Sequence, residues 1–154
     1  MIRRLTANDA AIGEVLSRYP LRSPKALSLH PRSNRNENFI VEGDKLWILD
    51  WEYAGMGDLF FDLGNVAVHH DFTDEQDAFL LESYFGTTPT AAALARQKLM
   101  KIMSDFREAM WGVAQMGLSK LDFDFKGYAE KHFNRLRQNA SDARYTQWLK
   151  DAAT

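Results

Sequence analysis

From Ala91 to Met116 the chain contains no proline and a lone glycine, Gly112. Leu94, Leu99, Ile102, Met103, Phe106, Met110, Val113 and Ala114 recur through this stretch mostly at helical steps. Apolar periodicity sustained over such a length predicts one long helix, around which the rest must be arranged. Thr88-Pro89 predicts its start, because proline is tolerated in a first turn, and Gly117 predicts its end.

The remaining elements are shorter. Residues 8–19, NDAAIGEVLSRY, open on cap-type Asn8 or Asp9 and align Ile12, Val15, Leu16 and Tyr19, which predicts a helix ended by Pro20 and Pro24. Residues 20–37 mix proline, serine, asparagine and basic residues without periodicity and read as loop. Phe39-Ile40-Val41 and Leu46-Trp47-Ile48-Leu49, separated by a turn with Gly43, predict a β-hairpin. Asp58 can cap a helix over Leu59–His69, and Thr73 with Gln76 three positions on suggests a capping box for a helix reaching Phe85 and Gly86. Residues 125–138, carrying Tyr128, Phe133 and Leu136, predict another helix, and Ser141 is expected to cap a last one with Tyr145, Trp148 and Leu149. The expected fold is mainly α with one small β-hairpin (α+β). It forms a single domain in which 1–37 is an N-terminal helix plus irregular chain and 38–154 is helical.

Composition narrows the function. The chain has 154 residues, 45% hydrophobic, which supports a packed core. Nineteen Lys and Arg against 21 Asp and Glu leave a net charge of −2, so no electrostatic footprint for nucleic acid is expected. With no cysteine, a Cys nucleophile, a disulfide framework and Cys-based zinc or iron–sulfur sites are excluded. No apolar run approaches a membrane span, and MIRRLTANDAAIGEVL breaks before a signal-like stretch forms, so a cytoplasmic location is expected.

Asn38 and Asp50 stand at the two ends of the expected hairpin, in NFIVEGDKLWILDWEYAGMGD. An amide and a carboxylate brought together there could hold Mg²⁺, which keeps water and phosphate oxygens in its other positions. Spacing alone leaves open the plainer reading, with Asn38 capping a loop and Asp50 capping the turn at Trp51. His69-His70-Asp71 is read as a polar helix end, because adjacent side chains on a helix point about 100° apart. The run Asp122–Lys126 is read as a connection entering a helix, too poor in carboxylates for a calcium loop.

ENFIVEGDKLWILDWEYAGMGDLFFDLGN and REAMWGVAQMGLSKLDFDFKGYAEKHFNRLR resemble the C-terminal lobe of choline and ethanolamine kinases, of the aminoglycoside-phosphotransferase-like, protein-kinase-like fold. The likeness covers roughly residues 36–138. It implies ATP-dependent phosphorylation of a small amino-alcohol hydroxyl, with ATP and Mg²⁺ as the family's cofactors. It makes Asn38 and Asp50 the metal ligands and Asp62, in FFDLGN, the buried acid bracing the catalytic loop. It places Trp111, Tyr128 and Phe125 at the walls of a pocket for a choline-like ammonium, with Glu52 or Glu108 adding negative charge.

Two departures qualify what the resemblance implies. Counting back from Asn38 in LHPRSNRNENF, the family's catalytic Asp position falls on Ser33 and its His position on Pro31. A serine cannot take a proton as a carboxylate does. Only about thirty residues precede this loop, with one glycine, Gly13, and with Lys25 between prolines, so no phosphate-clamping lobe is expected and ATP binding by this chain is not. The expectation is therefore either a phosphotransferase lobe or a catalytically inactive remnant that binds and self-associates. Self-association is expected through the apolar stretch 38–60, uncovered where the partner lobe would sit.

Overall fold

The computed structural model describes residues 57–154 in full and, before them, the backbone of five short strands. β1 (Ile2–Arg4), β3 (Phe39–Glu42) and β4 (Lys45–Ile48) form an antiparallel sheet in the order β1-β3-β4. Phe39 pairs with Ile48 and Glu42 with Lys45 across the β3–β4 register. β2 (Leu27–Ser28) pairs with β5 (Gly55–Met56).

Five helices follow: α1 (Leu59–His69), α2 (Asp74–Phe85), α3 (Ala91–Leu118), α4 (Phe125–Ala140) and α5 (Tyr145–Asp151). The described residues are thus mainly helical. β1 and β2 fall in the segment where a helix and irregular chain are expected. Their physical reason is pairing with an existing strand: Ile2-Arg3-Arg4 is too short and charged to signal a strand by itself, yet it joins β3 through backbone bonds. The expected helix over residues 8–19 lies outside the described residues.

Caps fix several helix ends. Asp58 Oδ1 accepts from the Phe60 N–H at 2.8 Å and starts α1. Thr73 and Gln76 form a complete capping box on α2, which stops at Gly86 in the left-handed region (φ 71°). Three expectations about the long helix and its neighbours need correcting. α3 is capped by Thr90, whose hydroxyl accepts from Ala93, so Pro89 lies before the helix instead of inside its first turn. α3 also runs through Gly117 to Leu118. Ser141 closes α4, and α5 starts at Arg144 without a side-chain cap.

α1 is the centre of the domain. Every residue from Asp62 to Val68 is buried, as expected of a helix surrounded on all sides. The apolar core gathers Phe60, Leu63, Val66, Ala67, Leu80 and Leu81. α3 crosses α1 at Gly64, where a Cβ would come within 2.9 Å of the Met100 carbonyl carbon. It crosses α4 at Gly112, where a Cβ would meet Ala129 Cβ at 3.0 Å. These two close approaches place Trp111 directly beside α4.

Candidate functional site

The α3–α4 crossing brings Trp111, Phe125 and Tyr128 together. The Trp111 ring lies 5.7 Å from Phe125 and 5.5 Å from Tyr128 between centroids, edge-on to both. Phe123, from the α3–α4 connection, lies 4.9 Å from Phe125, tilted to it, and 5.9 Å from Tyr128, edge-on. Asp124 fixes that connection by capping α4, its Oδ1 accepting from the Gly127 N–H at 2.8 Å. Phe125 is buried, whereas Trp111 and Tyr128 are half-buried.

At the base of these rings is Glu108, one turn before Trp111 on α3 and 3% exposed. Its Oε2 accepts from the Tyr128 hydroxyl of α4, and its Oε1 accepts from Arg107 Nη2 and lies 3.2 Å from His69 Nε2 of α1. One carboxylate therefore joins three helices. Burial works to raise its pKa, but the His69 hydrogen bond, the Arg107 charge and the Tyr128 hydroxyl outweigh that and hold it at about 2. A buried acid held ionised near neutral pH, beside aromatic faces, is suited to an organic cation.

The neighbouring polar contacts keep this corner rigid. Asn65 on α1 accepts from Ser104 Oγ at 2.6 Å and Arg107 Nη2 at 2.9 Å. Buried Asp105 accepts from Arg135 Nε at 2.9 Å and pairs with His132 Nδ1 at 2.8 Å. His69 and His70 face different neighbours, Glu108 and Phe72, consistent with their angular separation on α1.

The structure thus gathers Trp111, Tyr128, Phe125 and Glu108. Asp62 is buried on α1, where its charge, after burial itself, raises the Tyr84 pKa. Ser33, Asn38, Asp50 and Glu52 lie outside the described residues; in sequence, Asn38 precedes Phe39 and Asp50 follows Ile48 by two, and Phe39 pairs with Ile48. Among the described residues no group of His, Asp and Glu side chains converges to hold a metal ion. Sequence reasoning missed His69, Arg107 and Phe123; the signal for Arg107 was its place next to Glu108, while His69 is brought in by tertiary packing.

A concavity of about 250 Å³ lies about two turns toward the start of α3 and is lined by Lys98, Lys101, Arg135, Arg144, Asp74 and Trp148 among others. Its cations are bound by carboxylates: Lys98 and Lys101 by buried Asp77, Arg135 by Asp105 and Asp71, Arg144 by Asp142 and Asp74. The network ties α5 to the start of α2. No helix among the described residues is long and apolar enough to cross a membrane.

Residues 35–95 match the phosphotransferase enzyme family. Over 79 residues the chain is 32% identical to Protein LicA of Haemophilus influenzae, covering 49% of this chain and 29% of that protein. A LicA homolog of Metamycoplasma hominis is 38% identical over 47 residues, 30% of this chain and 19% of its own length. A solved choline/ethanolamine kinase family protein from Mesorhizobium loti superposes with a TM-score of 0.74 at 30% identity, over 95% of this chain and 50% of that one. The chain therefore spans under a third of the curated relatives and half of the structural one. Residues 35–95 thus match the phosphotransferase enzyme family, and over nearly its whole length the chain shares its fold with a choline/ethanolamine kinase family protein.

Proposed function

We propose that this chain forms the substrate-binding, helical part of an ATP-dependent phosphotransferase acting on the hydroxyl of a small amino alcohol such as choline. The observation that carries the reading is the ionised Glu108 buried beneath Trp111, Tyr128 and Phe125. A quaternary ammonium has no N–H to donate, so aromatic faces and a fixed negative charge are its best partners; each face is worth roughly 0.5–2 kcal/mol. In this reading Asn38 and Asp50 hold Mg²⁺, which neutralises charge on the transferring phosphoryl group. Asp62 braces the loop that carries them, and Glu52 adds charge near the cation.

Ser33 favours a second reading, in which the chain binds the amino alcohol without turning it over. A carboxylate would accept or orient the substrate hydroxyl proton, and serine does neither as well. Calorimetric titration with choline, with its uncharged carbon isostere 3,3-dimethylbutan-1-ol and with Mg·ATP separates these possibilities. Choline binding at least tenfold tighter than the isostere supports the ammonium site; equal affinities would sink it. Phosphocholine formation with ATP present decides between turnover and binding alone.

A further inference from the structure

A carboxylate has about four lone-pair sites, and three of those on Glu108 face donors of its own chain. Oε1 accepts from Arg107 Nη2 and lies 3.2 Å from His69 Nε2, and Oε2 accepts from the Tyr128 hydroxyl. The Glu108 side chain is 4% exposed, so its oxygens are covered while its negative charge still acts on the rings beside it. Asp124, the acid next to Phe125, is turned onto Gly127 as the cap of α4. Among the described residues, the cluster of Trp111, Phe125, Tyr128 and Phe123 thus combines aromatic faces and a charge with little hydrogen-bond acceptance. Its Tyr128 oxygen is a neutral acceptor, weaker than a carboxylate.

We propose that Tyr128 sets the degree of N-substitution that the site accepts: by occupying Glu108 together with Arg107 and His69, it selects a fully N-methylated amino alcohol over a primary one. The inference rests on the amino-alcohol reading above. A primary ammonium carries three N–H donors, all hydrogen-bonded in water, and donors left without acceptors on entering a site weaken binding. The Tyr128 oxygen can serve one of them, and the covered Glu108 none. A quaternary ammonium has no such donors. Its methyl groups carry the positive charge onto the aromatic faces, and the buried carboxylate supplies attraction from behind them. The discrimination works by leaving the wrong ligand unpaired.

Calorimetric titration of the full chain with ethanolamine, N,N-dimethylethanolamine, choline and 3,3-dimethylbutan-1-ol tests this. Affinity is expected to rise with N-methylation, choline binding at least roughly tenfold tighter than ethanolamine. Tyr128→Phe uncovers Glu108 Oε2 and exchanges a phenol oxygen for a carboxylate oxygen as acceptor. It should weaken choline slightly and tighten ethanolamine, so that the preference for choline falls at least roughly threefold. A packing defect alone would lower both affinities and leave the preference standing. Ethanolamine binding as tightly as choline, with both at least tenfold tighter than the uncharged isostere, would overturn this inference and leave the ammonium site intact. An unchanged preference in Tyr128→Phe would overturn it as well. Isostere binding as tight as choline, or binding of neither amine, would remove the ammonium site and this inference with it.

Discussion

The Tyr128 hydroxyl donates to Glu108, so the ring forming one wall of the aromatic cluster is anchored by the carboxylate at its base. Ring and charge are therefore separable by mutation. Tyr128→Phe keeps the wall and removes the anchor; Trp111→Ala removes a wall and leaves the charge. Trp111→Ala is expected to weaken choline binding roughly 2- to 30-fold, with a smaller loss in Tyr128→Phe. Calorimetry on both variants checks the order, and an unchanged affinity in Trp111→Ala would return that residue to plain core packing.

Glu108 also makes the fold acid-sensitive. Its folded pKa, about 2, is depressed below the ordinary 4.5, so its stabilisation is present above about 4.5 and lost as pH falls toward about 2. The full effect is up to ~3 kcal/mol. Asp74, held down by hydrogen bonds from Lys98 and Arg144, acts in the same direction but is more exposed to solvent. Urea unfolding at intervals between pH 6 and 3 should show a falling stability that Glu108→Gln flattens. A Glu108→Gln profile parallel to wild type would show that the carboxylate is not the cause.

Gly64 sits where the backbones of α1 and α3 approach most closely. Gly64→Ala is expected to destabilise the domain by about 1–3 kcal/mol, because the obstacle is the Met100–Lys101 backbone, which cannot swing aside. A thermal midpoint equal to wild type would mean that the two helices can part without cost.

Lys101 is 9% exposed and its ammonium contacts both oxygens of Asp77 and the Phe72 carbonyl. Burial lowers its pKa, and Asp77 opposes that. Asp77→Ala is expected to cost about 3–5 kcal/mol by leaving a buried cation uncompensated, while Asp77→Leu combined with Lys101→Met should recover most of the loss. Equilibrium unfolding of both variants gives the comparison; a double variant as unstable as the single one would argue against charge as the reason.

Local chemistry made much of the helical part readable. Asp58 and the Thr73–Gln76 pair announce their helices because each satisfies orphan N–H groups within three residues. Thr88 and Ser141 misled for a related reason: every Ser or Thr near a boundary is a possible cap, and only the backbone path chooses Thr90 over Thr88 or makes Ser141 a terminator. β1, β2 and β5 were invisible because two or three residues carry no periodicity, and their partners are distant in sequence. At the site, Trp111, Phe125 and Tyr128 were legible through motif likeness. The His69 contact to Glu108 was not, since it joins residues 39 positions apart through the crossing of α1 and α3.

The burial of α1 on every side bears on how the chain is made. α1 is synthesised well before α3, the helix that packs most extensively against it. Until the ribosome has released α3, the apolar girth of α1 lacks its main cover, and the nascent chain must be shielded by a chaperone or by transient collapse. Expression clones ending before Leu118 should accordingly yield aggregates, and those ending beyond α4 should yield material that stays in solution.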